Sequence, residues 1–368
     1  MSVKPSPMDI PGTSTRLAFL GDIAVTVLPD SLSNYPDFSE YTNVIANLEG
    51  PVVPPDASSF KTAVCSTDQA LLPVLQRLNI STVTLANNHI MDAPEHFSDT
   101  LRWLKKNSID FLGAGENLSE AEQPLDANSA SGHYRLLNYG WQVVGCRAAT
   151  RKKPGCNPVR RSKILKDIAK SKRNDPVRKV IVVFHWNYEL EQFPQPANRL
   201  LARECIDAGA DAIIGAHPHI ASGAEKYRGK PIVYSCGNWL FPAREFNGFD
   251  LNFPPSCDIQ LVPELVFSDD SDITCIFHWW RYQRESQSFE FVARESWDDA
   301  LITERSPFRK MSVSDYRRWF KKNRSKKKML PIYDDAASSV LNKFKDIFVA
   351  GRGKMIDMMI TLGFKTGY

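Results

Sequence analysis

VRKVIVVFHW (Val177–Trp186) carries five consecutive apolar residues, Val180 to Phe184, and then reaches His185. An uninterrupted apolar run without polar alternation reads as a strand covered on both faces, the pattern of a buried parallel sheet. Pro196–Ala208 follows with helical apolar spacing and is closed by Gly209. DAIIGA (Asp211–Ala216) is the next short apolar run, and it ends at His217. Strand and helix alternating in this way predict a layered α/β domain.

Upstream, RLAFLG (Arg16–Gly21), VIANL (Val44–Leu48), STVTLA (Ser81–Ala86) and DFLGAG (Asp110–Gly115) read as further strands. Thr67–Asn79 and Glu95–Lys106 carry helical apolar stripes between them. HYRLLNYGWQVVGC (His133–Cys146) reads as a hairpin around Gly140, and Ala224–Arg228 with PIVYSCG (Pro231–Gly237) as another around Gly229. The expected organisation is a flexible Pro/Ser-rich lead-in over 1–14, an α/β domain over 15–268, and a C-terminal region over 269–368. The last region begins after the polar FSDDSD (Phe267–Asp272) with a strand and continues as basic helices. Tyr35, Pro36 and Phe38 are candidates for a lid.

The composition fits a soluble globular protein: 368 residues, 43% hydrophobic and 24% charged, which excludes a disordered chain, a fibre and a multi-span membrane protein. No stretch approaches the roughly 20 apolar residues of a membrane span, and the N-terminus has no apolar leader core. Seven cysteines without a C-x-x-C suggest neither a disulfide framework nor a zinc ribbon, so a reducing, cytoplasmic setting is expected. The net charge of +4 is unevenly spread. Residues 301–368 hold 16 Lys+Arg against 6 Asp+Glu, a surplus of +10, which leaves −6 for residues 1–300.

The chemistry lies at the strand ends. RLAFLG runs into Asp22, VIANL into Glu49, and STVTLA into Asn87, Asn88 and His89. VIVVF runs into His185, and DAIIGA into His217 with His219 two residues on. The carboxyl edge of an α/β sheet is where ligands bind, so parallel neighbours would bring these side chains to one crevice. Carboxylate, carboxamide and imidazole suit Zn, Mn or Fe, and the lack of thiolate disfavours a closed structural zinc site. One or two divalent ions are therefore expected. A pair of ions a few ångströms apart can clamp a phosphoryl group. Each residue alone has an ordinary reading as a helix cap, a turn residue or a hydrogen-bonded core histidine. Their joint recurrence at five strand ends favours a shared site.

The ordered series GD (Gly21-Asp22), NLEGPV (Asn47–Val52), LANNHIMD (Leu85–Asp92), GAGENLSEA (Gly113–Ala121), HWNYE (His185–Glu189), IDAGADAIIGAHPHI (Ile206–Ile220) and YSCGNW (Tyr234–Trp239) resembles the CapA family. That family is the capsule or poly-γ-glutamate synthesis group of the calcineurin-like metallophosphatase superfamily. The resemblance covers about residues 16–242. It implies a four-layer metallophosphatase-like α/β sandwich with a smaller, mostly helical basic C-terminal region. It also implies roles: Asp22 and His219 as ligands of a first metal, Glu49 as the bridging carboxylate, Asn88, His185 and His217 as ligands of a second. His89 is implied as the catalytic group acting on the leaving group. Superfamily members usually begin with Asp-x-His; here Ala24 stands at the third position, which implies fewer protein ligands at the first metal. Asn187 and Trp239 replace the usual Gly and Phe and are expected to alter the pocket wall.

The implied activity is metal-dependent hydrolysis of the phosphoesterase type during capsule, exopolysaccharide or poly-γ-glutamate production. The alternative is a non-catalytic factor that holds polymer for an envelope synthase. Expected partners are an anionic polymer or a phosphorylated or glycosylated envelope precursor. Nucleic acid is not expected, because the tail lysines are not interleaved with aromatics. Glu189 and Glu191 are expected either to contact substrate or cation, or to lie on a solvated loop; Arg199 and Arg203 are expected at the surface.

In the tail, Val340, Leu341, Phe344, Ile347 and Phe348 form a helical apolar stripe downstream of KKNRSKKK (Lys321–Lys328). Two outcomes follow: peripheral contact with the inner face of a membrane, or packing on the body. Met355, Ile356, Met359, Ile360 and Leu362 follow after Gly351 and Gly353, and packing is the favoured expectation, because Met-rich stripes are most often core.

Overall fold

A computed structural model describes residues 14–25, 35–54, 65–129, 131–242, 244–246, 249–325, 329–337 and 339–361. The strands that build the two main sheets are β1 (Thr15–Ile23), β2 (Asn43–Leu48), β3 (Ile80–Thr84), β4 (Asp110–Leu112), β5 (Leu125–Ser129), β6 (Gly132–Gly140) and β7 (Lys179–His185). They continue with β8 (Ala212–Ala216), β9 (Ala224–Tyr227), β10 (Lys230–Val233), β11 (Asn238–Leu240), β12 (Ile259–Phe267), β13 (Thr274–Gln283) and β14 (Ser288–Glu295). The first sheet has the order β14-β13-β12-β1-β2-β3-β4, with β11 paired to β1 off that path. The second has the order β9-β10-β8-β7-β6-β5. β1, β2, β3 and β4 are mutually parallel, as are β6, β7, β8 and β10.

Side-chain alternation explains the layering. Along β1, Leu17 and Phe19 enter the cluster between the sheets, whereas Ala18 and Leu20 enter the cluster on the outer face. Along β7, Ile181 and Val183 point between the sheets, and Val180, Val182 and Phe184 point outward. Both faces of a central strand are thus apolar, which is why VIVVF shows no polar alternation. Helices α1 (Leu72–Arg77) and α2 (Phe97–Lys106) cover the first sheet through Leu75, Phe97, Leu101 and Leu104. Helices α3 (Arg161–Asn174), α4 (Pro196–Asp207) and α5 (Val313–Asn323) cover the second through Ile168, Leu201, Tyr316 and Phe320. Helix, sheet, sheet, helix gives the expected four layers.

Several details differ from the sequence reading. His133–Cys146 is not a hairpin: β6 runs through to Gly140, and Gln142–Val144 forms a single 3-10 turn. Gly140 serves close approach instead, since a Cβ there would sit 2.6 Å from the Ala86 carbonyl oxygen and 2.9 Å from Cys146 Sγ. The antiparallel partner of β6 is the upstream β5. The helix expected over Thr67–Asn79 is shorter, because Thr67–Asp68 pairs with Val52–Val53 before it starts. The expected boundary after residue 268 falls within a ladder: β12, β13 and β14 pair in succession and extend the first sheet to Glu295. Phe38 is core, buried against Tyr41 and Trp239. Residues 1–13 of the lead-in, 26–34 ahead of the candidate lid and 326–328 of the basic cluster lie outside the described residues.

Arg199 and Arg203 are not surface charges. Arg199 is 2% exposed and donates to both oxygens of Glu225, at 3.1 and 2.8 Å, and to the carbonyls of Phe308 and Met311. Arg203 also donates to both oxygens, at 3.1 and 2.7 Å. Burial alone raises the Glu225 carboxyl, but hydrogen bonds from Arg203 and Arg199 outweigh it and hold the group below its ordinary 4.5. Glu225→Gln leaves two guanidinium groups without their countercharge, a loss of about 3–5 kcal/mol in urea unfolding at pH 7. A folded-state value below the unfolded one gives stabilisation that is complete above pH 4.5 and fades as pH drops through the folded value. The variant's deficit should therefore shrink below pH 4.5; a deficit independent of pH would refute the ion-pair account.

Helix α5 faces inward, with Tyr316 and Phe320 buried, but the packing expectation concerns the stripe that follows it. Helix α6 (Val340–Thr361) carries that stripe and does not turn it inward: Val340, Leu341, Phe344, Ile347 and Phe348 are exposed.

Candidate metal centre

Parallel strands place their carboxyl ends on a common edge, and here the edges of both sheets face one another. Asp22 is the penultimate residue of β1, and Glu49 directly follows β2. Asn88 and His89 lie four and five residues beyond β3. His185 is the last residue of β7, and His217 directly follows β8. Gly21 permits this approach, because a Cβ there would collide with the Gly237 carbonyl, and the Asp22 amide donates to that same oxygen at 3.0 Å.

The geometry centres on Glu49. Its Oε1 lies 3.8 Å from His89 Nε2, 3.7 Å from His185 Nε2 and 3.9 Å from His219 Nε2. These separations are too long for hydrogen bonds. They are shorter than twice the ~2.1 Å of a metal–ligand bond, as expected of two ligands on one ion. Two groups of ligand atoms lie within 4.8 Å of one another: Glu49, His185 and His217; and Asp22, Glu49 and His219. Glu49 belongs to both. All five residues are buried. Asn88 Oδ1 is 2.7 Å from His185 Nε2 and so borders the first of these groups. His185 Nδ1 is buried without a hydrogen-bond partner among the described residues. Ala24, at the third position of the Asp-x-His pattern, is buried beside Cys65 and Phe241, and His219 supplies the imidazole beside Asp22 instead.

His217 and His219 both adopt left-handed backbone, with φ of +96° and +61°. Non-glycine residues held there cost on the order of 1–3 kcal/mol each. Contacts on either side hold the turn: the His217 amide donates to Asp22 Oδ2 at 3.3 Å, and the Leu190 amide to the Pro218 carbonyl at 2.9 Å. Burial, together with His217, His219 and His89, pushes the His185 imidazole well below its ordinary value. Burial lowers His219 too, but Glu49 and Asp22 outweigh it and raise the group to about 9. His89 is lowered by burial and raised further by Cys65 and Asp92, ending well above its ordinary value.

Three positioning residues, Asn47, Asp92 and Asn238, escaped the sequence reading, and Asn87, singled out there only as a strand-end residue, joins them. Asn47 Nδ2 donates to Asp22 Oδ1 at 2.8 Å. Asn87 Nδ2 donates to the Leu48 carbonyl at 2.8 Å, and its Oδ1 accepts from the His89 amide at 3.2 Å. Asp92 Oδ2 meets His89 Nδ1 at 2.7 Å and accepts from the Cys65 amide at 3.0 Å. Asn238 Oδ1 meets His219 Nδ1 at 2.9 Å, and β1–β11 pairing sets it opposite Asp22. Such outer partners orient metal-site side chains. Their only sequence signal is proximity to the strand-end groups.

Other expectations resolve differently. Glu191 is neither solvated nor at the cluster: it is 1% exposed and accepts from the Ser325 amide at 3.0 and 3.1 Å, tying this loop to the C-terminal region. Glu189 is half-buried and acts on His219 electrostatically. Asn187 is buried at φ +70° and donates to the Glu191 and Phe193 carbonyls. That backbone suits Gly first and Asn next. Trp239 meets its expectation: it is fully buried, stacks on Phe289 at 4.7 Å and forms part of the wall of a pocket beside the cluster. A pocket lined by Asn238, Phe241, Phe253, Asp258 and Arg284 adjoins the cluster, with Phe253 and Phe241 rings 4.5 and 5.3 Å from that of His219.

Buried carboxylates and imidazoles in this arrangement can hold a metal ion. Comparison with known proteins places the chain among capsule synthesis proteins. The family model described as "Bacterial capsule synthesis protein PGA_cap" matches residues 30–243. The chain is 33% identical over 221 residues to the PGA biosynthesis protein CapA of Bacillus subtilis (strain 168), covering 58% of this chain and 57% of that one. It is 31% identical over 219 residues to the capsule biosynthesis protein CapA of Bacillus anthracis, covering 57% and 52%. The chain thus spans little more than half the length of these relatives. Among solved structures, a 5'-nucleotidase precursor from Thermus thermophilus superposes with a TM-score of 0.44 at 12% identity, covering 75% of this chain and 56% of that one.

Proposed function

The chain belongs to the bacterial capsule synthesis protein (PGA_cap) family, and we propose that it is a metal-dependent hydrolase of the phosphoesterase type. Its place is in the production of a capsule, exopolysaccharide or poly-γ-glutamate polymer. The substrate class is an anionic polymer or a phosphorylated or glycosylated envelope precursor. The observation that carries this reading is Glu49, which is shared by two buried ligand groups and has three imidazoles around one of its oxygens.

In this reading Asp22, Glu49 and His219 hold one divalent ion. Glu49, His185 and His217, with Asn88, hold a second. The donor set suits Mn, Zn or Fe. A divalent ion bound there supplies Lewis-acid polarisation of a phosphoryl oxygen. The protein does the rest: Asp92 takes the Nδ1 side of His89 and leaves Nε2 turned toward Glu49, where it can pass a proton to a departing alkoxide. Asn47 and Asn238 fix Asp22 and His219, so the ligands need little rearrangement.

The test pairs metal content with turnover. Protein stripped by chelator and reloaded with Mn, Zn or Fe should bind one or two ions per chain and melt several degrees higher than the stripped form. It should then hydrolyse a generic phosphodiester such as bis-p-nitrophenyl phosphate. Loaded protein that turns over no phosphoester would favour the polymer-holding alternative. Protein that takes up no metal would sink both the site and the activity.

A further inference from the structure

We infer that the outer face of α6 is a docking surface for an anionic lipid bilayer. A surface helix ordinarily turns its apolar stripe to the core and its polar face to water. Helix α6 is mounted the other way round. Its inner face is largely polar: Asn342 is 8% exposed and donates to the Asp335 and Ala337 carbonyls at 3.1 and 2.9 Å. Lys345 donates to the Ile332 carbonyl at 2.7 Å and lies 5.3 Å over the Tyr333 ring, while Tyr333 Oη meets Asp346 Oδ1 at 2.7 Å. Val349 packs against the second sheet's outer cluster.

The outer face is apolar. Val340 is 72% exposed, Leu341 63%, Phe344 66%, Ile347 68%, Phe348 52% and Met355 54%. At ~100° per residue these six share one arc roughly 120° wide. Single exposed hydrophobics are ordinary; a continuous arc with two phenylalanines marks an interaction surface.

The charges choose the occupant. Helical projection puts Lys343 and Lys354, both exposed, along one border of the arc and Arg352 along the other. An apolar strip bordered by cations on both sides is the pattern of a helix lying in the interface of an anionic bilayer. A second copy packed on the same strip would bring like charges together, within a region whose sequence surplus is +10. Among the described residues no helix is long and apolar enough to cross a membrane, so the contact is peripheral.

The experiment uses the full chain and sedimentation with vesicles. Phosphatidylglycerol vesicles at low salt should pull the protein down at least ~10-fold more strongly than phosphatidylcholine vesicles, and ~0.5 M salt should erase most of that preference. Phe344→Asp/Ile347→Asp should weaken binding more than ~10-fold with an unchanged melting temperature, since both side chains are exposed. Lys343→Glu/Lys354→Glu should remove the lipid preference. The chelator-stripped protein should bind equally well, so the outcome is independent of the hydrolase reading. Absence of binding to phosphatidylglycerol overturns the proposal, as does binding that survives Phe344→Asp/Ile347→Asp. A dimer in light scattering that the same double variant dissociates also overturns it, and assigns the face to self-association.

Discussion

Glu49→Gln abolishes metal binding at both halves of the cluster and takes hydrolysis below detection. The substitution keeps the size and shape of the side chain and removes only its charge. Because Glu49 belongs to both ligand groups, one change acts on two ions at once. Loss of an outer partner alone already costs ~10–100-fold in metal affinity, so loss of a shared carboxylate should cost at least ~10²-fold at each ion. Metal content by emission spectrometry, after gel filtration at micromolar protein, is the direct readout. Melting in chelator should match the parent protein within about a degree or two, because both are then metal-free. A variant that keeps two tightly bound ions would show that Glu49 is not shared between them.

His89→Ala behaves differently: it keeps the metal and slows the reaction. His89 stands 3.8 Å from Glu49 through Nε2 but joins neither ligand group, and Asp92 fixes its opposite nitrogen at 2.7 Å. A positioned general acid contributes ~10²–10⁴-fold when the leaving group is a poor one. The loss should be in that range for an alkyl phosphoester and much smaller for a p-nitrophenyl ester, whose leaving group departs without a proton. Equal losses on both substrates would count against proton transfer. Loss of bound metal would make His89 a ligand instead. Asp92→Asn should reproduce part of the effect, because it weakens the hold on Nδ1 and lets the ring turn.

The sequence and the structure carry different parts of this account. Asp22, Glu49, Asn88, His185, His217 and His219 stand out because each follows an apolar run that must be a strand, and strand ends are legible from a handful of neighbouring residues. Asn47, Asp92 and Asn238 do not stand out, since an asparagine or aspartate near a strand end is ordinary turn chemistry until its partner is known. Gly140 illustrates the same limit. Between two apolar stretches it reads as a turn, yet it lies at the end of one strand because Ala86 and Cys146 press against it.

Chain-local pattern determined the strand and helix types, the layered α/β class, the polar residues at the strand ends and the basic, amphipathic tail. Backbone propensity and side-chain periodicity act over a few residues, so one chain suffices to read them. Tertiary structure alone decided which ends meet: His217 and Asp22 lie 195 positions apart and share a hydrogen bond. It decided that Glu49 serves two ligand groups, and that Arg199 is buried against Glu225 rather than solvated. It also decided which face of α6 turns outward, because Tyr333 and the carbonyls of Ile332, Asp335 and Ala337 hold the polar side. The same sequence pattern is compatible with either face inward. Only the packing partners, distant along the chain or met in a turn whose path the sequence leaves open, choose between them.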